Sequence, residues 1–239
     1  MDWLKINCKA DDSGEVYIYG TISEEKWFDE DVTPSWFKDQ VAKLSKLKNI
    51  NLFINSPGGG VFAGLTIYNI INRLTATVTA YIDGLAASIA SVIPMAADKI
   101  IMPKNAMMMI HNPIGIAIGD EKEIRQYADI LGRAKTSIMS TYMDKTGKSE
   151  KEISALMDAQ TWMTGKEAVS NKFADTLDEA KDIKACYDGG KISINGLLIN
   201  PSDYKNFPLD RFQKPLAVVK KERFSIAQNK LFNLKKELV

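Results

Sequence analysis

The chain has 239 residues, of which 45% are apolar, 9% aromatic and 26% charged, which excludes a disordered, collagenous or disulfide-stapled polypeptide. Lys and Arg number 31 against 30 Asp and Glu, a net charge of +1, so no bulk field points to a nucleic-acid partner. Residues 1–5 turn polar at once, and the most apolar stretch, 84–97, contains Pro94 and is shorter than the ~20 residues of a membrane span, so neither a secretory signal nor a membrane segment is expected and the chain reads as cytoplasmic.

Residues 3–7 and 16–19 read as short strands between polar turns. Cys8 and Cys186 belong to no CxxC pair and read as two reduced thiols. An acidic loop over 24–32 carries Trp27 and Phe28. Thr33 then suits a helix N-cap with Pro34 in the first turn, and Trp36, Val41 and Leu44 give that helix an apolar stripe. A strand–loop–helix unit follows twice. Residues 50–54 form a strand, 56–60 a glycine loop and 61–74 a helix. Residues 76–82 form a second strand, Gly84-Leu85 its loop and 86–97 its helix. Short strands are expected over 99–102 and 106–110. This succession argues an α/β fold. Residues 121–143 have the spacing of a long amphipathic helix, Thr146-Gly147 ends it, and Ser149 to Glu152 reads as a capped restart running to Asp158. Thr164 opens one more short helix. The core domain is expected over 1–185. Residues 186–239, rich in Lys and Asn with Pro201, Pro208 and Pro215, read as a partly ordered extension with a short amphipathic helix over 224–234.

Three short blocks carry candidate chemistry. Asn55-Ser56-Pro57-Gly58-Gly59-Gly60 joins a strand to a helix. Consecutive glycines leave backbone N–H groups bare, a cradle for a phosphate or an oxyanion. The run matches neither GxxxxGK[ST] nor GxGxxG, which disfavours nucleotide binding. Gly84-Leu85-Ala86-Ala87-Ser88 places a hydroxyl in the first turn of an apolar helix. A serine there commonly bonds its own backbone; as a nucleophile it would gain from the helix dipole and from its small neighbours. His111, the only histidine, ends a strand before Asn112-Pro113. It is the one side chain whose ordinary pKa suits a base near neutral pH, which is what a serine nucleophile needs.

These blocks, Ile54-Asn55-Ser56-Pro57-Gly58-Gly59, Gly84-Leu85-Ala86-Ala87-Ser88 and Met109-Ile110-His111-Asn112-Pro113, resemble the signature blocks of the Clp protease proteolytic subunit family, in order and spacing. The resemblance covers roughly residues 14–183. The Trp-Phe-Asp-Glu-Asp-Val-Thr-Pro segment at 27–34 and the C-terminal extension look closest to the phage and prophage members called head maturation proteases. The resemblance implies a crotonase-like superhelix of strand–strand–helix units with a projecting long helix, 121–143, that mediates ring stacking. It implies Ser88 as nucleophile, His111 as general base, and the N–H groups of Gly59 and Ile89 as oxyanion hole. It further implies a polypeptide substrate, capsid protein for the phage members, and a homo-oligomeric ring. No cofactor or metal is expected, and the sequence does not fix an ATPase partner.

The third catalytic position departs from the family. An ungapped reading from Thr146-Gly147 to Thr164 puts Gln160 where the family has an aspartate, and Asp158 lies two residues earlier. Gln160 fits by position and Asp158 by chemistry. An amide can fix the tautomer of a histidine but cannot stabilise the imidazolium with a full charge. Two other functions use the same features. A crotonase-fold acyl-CoA enzyme would need the backbone amides but not the Ser88–His111 pair. A catalytically weak ring would serve as an assembly scaffold.

Overall fold

A computed structural model describes residues 13–29, 31–179, 185–188, 190–195 and 197–209, without the side chains of 185–188. The expected strand over 3–7, Cys8 and the helix over 224–234 lie outside the described residues, as does the thiol of Cys186. The strands are β1 (Ser13–Tyr19), β2 (Asn49–Ser56), β3 (Thr77–Ala87), β4 (Lys99–Pro103), β5 (Met107–Ile110), β6 (Thr161–Thr164) and β7 (Thr176–Asp178). The order β1-β2-β3-β4-β7 is parallel throughout. The long β3 pairs with β4 through residues 79–81 and with β5 through Leu85, Ala86 and Ala87. Strand β6 runs antiparallel to β5, with Ile110 opposite Thr161. The mixed α/β class therefore stands.

Period-two alternation sets the two faces of this sheet. Ile50, Leu52 and Ile54 of β2 are buried with Ala63, Ile67 and Ile71 of helix α2 (Val61–Asn72) and Phe37 and Val41 of helix α1 (Pro34–Lys43). The opposite face carries the half-buried rings of Tyr17, Phe53 and Tyr81, stacked with centroids 4.7 and 5.0 Å apart on successive strands. Helix α1 begins as expected, Thr33 Oγ1 accepting from the Trp36 N–H and Pro34 in the first turn. Phe37 rather than Trp36 fills the core side, and Trp36 is half-buried beside it.

The second expected helix, 86–97, is absent. Strand β3 continues through Gly84 to Ala87, and two four-residue 3₁₀ turns, Ser88–Ser91 and Ile93–Ala96, follow. The cause is nonlocal. Asn55 Oδ1 accepts from the Leu85 N–H at 3.1 Å, and pairing with Met107, Met108 and Met109 holds 85–87 extended. An apolar run this short does not by itself distinguish strand from helix.

Helix α3 (Glu121–Thr146) starts at a capping box of Asp120 with Glu123 and ends at Gly147, whose φ of 69° closes the last turn. Its 26 residues span about 39 Å. The second half buries Ala134, Ile138, Met139 and Tyr142. The first three turns leave Ile124 and Ile130 about half exposed, in keeping with a helix that projects. Ser149 and Thr164 cap α4 (Glu150–Asp158) and α5 (Gly165–Ser170) through capping boxes. Beyond residue 185, a second sheet of β8 (Ala185–Asp188), β9 (Lys191–Ile194) and β10 (Leu197–Ile199) forms two antiparallel pairings. No helix among the described residues is long and apolar enough to cross a membrane.

Candidate active site

The site forms where β2, β3 and β5 end side by side. Strand β2 delivers Ser56-Pro57-Gly58-Gly59, β3 delivers Ser88 and β5 delivers His111. Ser88 sits at the junction of β3 and the first 3₁₀ turn with φ 55°, a left-handed conformation that costs a non-glycine residue of order 1–3 kcal/mol. That bend turns the hydroxyl out of the sheet, and His111 Nε2 lies 2.7 Å from Ser88 Oγ. The expected helix over 86–97 is replaced by two short 3₁₀ turns. Dipole stabilisation from many aligned peptides is therefore not available there.

The glycine loop and the first 3₁₀ turn bring backbone close to Ser88. The positive φ values of Gly58 (95°) and Gly59 (143°) exclude most side chains. A Cβ on Gly58 would lie 2.7 Å from Ser88 Cβ and 3.2 Å from the Ile89 nitrogen, so the two loops are in backbone contact. Ile22 fixes the loop from the other side, its N–H donating to Gly58 O (2.9 Å) and its carbonyl accepting from the Gly60 N–H (2.8 Å). Among the described residues no turn or loop hydrogen bond engages the N–H of Gly59.

Burial lowers the pKa of His111 below its ordinary value. The ring is therefore neutral at neutral pH, and Nε2 can accept the serine proton in the tautomer that carries its hydrogen on Nδ1. A small cleft beside the pair is lined by Val61, Ile89, Val92, Pro113, Ile138 and Tyr142, an apolar surface with one phenol. Phe62 is 61% exposed, and Met107, Met108 and Met109 are core.

Neither candidate for the third position bonds His111, whose one recorded hydrogen bond among the described residues is to Ser88. Asp158 Oδ1 accepts from Lys135 Nζ (2.7 Å) and Asn112 Nδ2 (2.8 Å), and Oδ2 accepts from Ser154 Oγ (3.3 Å). The Lys135 ammonium, then the Asn112 amide, hold this exposed carboxyl below the usual carboxylate range. Gln160 stands one step past the last pair of the β5–β6 ladder. Ile110 faces Thr161 in that ladder, so His111 and Gln160 are the residues that adjoin its last pair. Gln160 Oε1, however, accepts from the Lys205 N–H.

Two supporting groups were not foreseen. Asn55 ties the site's loops to the second sheet, its Nδ2 donating to the Ile194 carbonyl at 3.1 Å while Oδ1 holds Leu85. Ser91 Oγ donates to the Ser88 carbonyl at 2.5 Å and lies 2.7 Å from the buried phenol of Tyr142, on α3. Their signal in the sequence was slight: a polar residue inside an apolar block, with a partner 51 positions away in the case of Ser91.

The sequence profile described as Clp protease matches residues 13–181. The ATP-dependent Clp protease proteolytic subunit 1 of Chlamydia abortus is 34% identical over 181 residues, covering 72% of this chain and 88% of the relative. The corresponding subunit of Bacteroides fragilis is 34% identical over 145 residues, covering 58% and 70%. A solved structure of an Asn-to-Asp variant of ClpP1 from Listeria monocytogenes is similar with a TM-score of 0.61 and 30% identity, covering 70% of this chain and 92% of that one.

Proposed function

The chain belongs to the Clp protease family and is a serine-type peptidase, and on that premise we propose that Ser88 is its nucleophile, His111 its general base, and phage capsid or scaffold protein its substrate during head maturation. The observation that carries the catalytic assignment is the 2.7 Å approach of His111 Nε2 to Ser88 Oγ. Ser88 Oγ attacks the peptide carbonyl carbon as its proton passes to His111 Nε2. The carbonyl oxygen takes the negative charge and receives hydrogen bonds from the Gly59 and Ile89 N–H groups. His111 returns the proton to the departing amine as the C–N bond breaks. Water then repeats the sequence on the acyl-enzyme and frees Ser88. No step calls for a cofactor or metal, and a homo-oligomeric ring would limit access to unfolded or small substrates. An acyl-CoA enzyme on this fold has no use for the Ser–His pair.

The phage assignment is supported by the Trp27 to Pro34 segment and by the chain that continues past the family match. That segment is a built feature. Asp31 Oδ2 accepts from the N–H groups of Trp27 and Phe28, leaving both rings mostly exposed. Glu24 Oε1 meanwhile caps α2 through the Ala63 N–H. Co-expression with the capsid protein of the same phage genome tests the reading. Wild type should shorten the capsid protein and Ser88→Ala should leave it intact. A second reading, a ring that assists assembly with little proteolysis, draws on His111 having no hydrogen-bond partner besides Ser88 among the described residues. It predicts that both proteins leave the capsid chain full-length and both promote particle assembly.

A further inference from the structure

Gln160 is where the candidate site meets chain outside the family match, which ends at residue 181. The residue is left-handed, with φ 50°, and directly precedes Thr161, whose cross-strand partner Ile110 directly precedes His111. Its carboxamide is engaged from another direction. The Lys205 backbone N–H donates to Oε1 at 3.3 Å, and Asn206 Nδ2 donates to the neighbouring Ala159 carbonyl at 3.4 Å. Tyr204 and Phe207 close edge-on against Trp162, the cross-strand partner of Met109, with ring centroids 5.5 and 4.8 Å away. Four consecutive residues thus grip the turn over 159–162.

This grip decides which end of the amide is free. An N–H can face only the acceptor of a carboxamide, so Oε1 is committed to Lys205 and the donor Nε2 is left over. Nε2 is buried and has no partner among the described residues. The productive tautomer of His111 keeps Nε2 bare for the Ser88 proton and carries its hydrogen on Nδ1. A neighbour that serves it must accept. One that offers only N–H favours the opposite tautomer, whose Nε2 cannot act as a base. We propose that Tyr204, Lys205, Asn206 and Phe207 form a positioning element that withholds the Gln160 acceptor from His111. Releasing the Lys205 N–H turns Oε1 toward the imidazole and activates Ser88. The proposal rests on the reading of Ser88 and His111 as nucleophile and base.

The donor can be deleted alone. Tyr204 already has the extended conformation (φ −125°, ψ 133°) that a residue before proline adopts, so Lys205→Pro removes the N–H while keeping the entry to the turn. Lys205→Ala retains it. The rate at which a fluorophosphonate probe labels Ser88 in the full chain reads nucleophilicity without a substrate. Lys205→Pro should react at least about tenfold faster than wild type, and Lys205→Ala at the wild-type rate. Adding Gln160→Met to Lys205→Pro should remove the gain. The double variant Tyr204→Ala/Phe207→Ala loosens the same grip without proline, should also accelerate labelling, and decides the question if Lys205→Pro does not fold. Equal rates for the folded proline and alanine variants, or a gain that survives Gln160→Met, overturn this proposal and leave the peptidase reading standing. No labelling of Ser88 in any protein, wild type included, overturns both.

Discussion

On the Ser88 side of His111 the polar groups are held: Ser91 bonds both the Ser88 carbonyl and Tyr142, Ser56 Oγ accepts from the Gly58 N–H at 3.1 Å, and Asn55 bonds Leu85 and Ile194. On the Gln160 side lie Asn112 Oδ1, Gln160 Nε2 and Trp162 Nε1, buried polar atoms without a partner among the described residues. Buried polar atoms are satisfied in the great majority of cases, and each exception asks for an explanation. The nucleophile and oxyanion loops are over-determined, so a strained Ser88 can persist there. The opposite corner has unspent hydrogen-bonding capacity, which a rearrangement of Gln160 would use.

The sharpest way to break this comparison is in the glycine loop. A Cβ on Gly59 would lie 2.0 Å from the Ile22 carbonyl oxygen and require an L residue at φ 143°. Gly59→Ala should therefore lose measurable peptidase activity and destabilise the fold by about 2–4 kcal/mol. Gly60 has φ −63° as the N-cap of α2, and a Cβ there meets the flexible Glu24 carboxylate at 3.2 Å. Gly60→Ala should cost within about 1 kcal/mol and retain activity. Thermal melts with peptide hydrolysis check both. Equal effects would mean that the loop is not held as described.

Tyr142→Phe leaves Ser91 with its bond to Ser88 alone. A loss of about 1 kcal/mol in denaturant unfolding is expected, with a several-fold lower kcat and little change in KM. Unchanged kcat would show that the Ser91–Tyr142 pair supports packing and not the nucleophile.

The pH profile probes the other side. Burial disfavours the His111 imidazolium, and only the neutral ring accepts the serine proton. Activity should rise with pH through a midpoint below the ordinary value of about 6.5. A carboxylate opposite the ring would favour the imidazolium, so Gln160→Glu should move that midpoint upward. A wild-type midpoint above 6.5 would contradict the surroundings assigned to His111. The smallest effect is expected at Asp158, which is held by Lys135, Asn112 and Ser154. Asp158→Asn should change kcat/KM by less than about threefold, since only groups that act on the reacting pair carry large catalytic effects.

What the sequence made legible follows the same divide. The glycine loop, Ser88 and His111 are local blocks with local reasons, and Thr33, Pro34, Ser149 and Thr164 announce their helices through short-range capping. The run from Ala86 to Ala97 misled because the strand state of its first two residues is set by Asn55, 30 residues before Leu85, and by β5, with only short 3₁₀ turns following. Residues 161–164 are too short to declare a strand without knowing β5. The state of Gln160 depends on a backbone N–H 45 positions later, which no spacing rule reaches.

The account turns on whether Ser88 Oγ is the atom that reacts. Incubation with a fluorophosphonate followed by peptide mass mapping answers this directly. The account predicts one adduct, on Ser88, formed by wild type and lost to background in His111→Ala. Labelling at another residue, or equal labelling of wild type and His111→Ala, would contradict it.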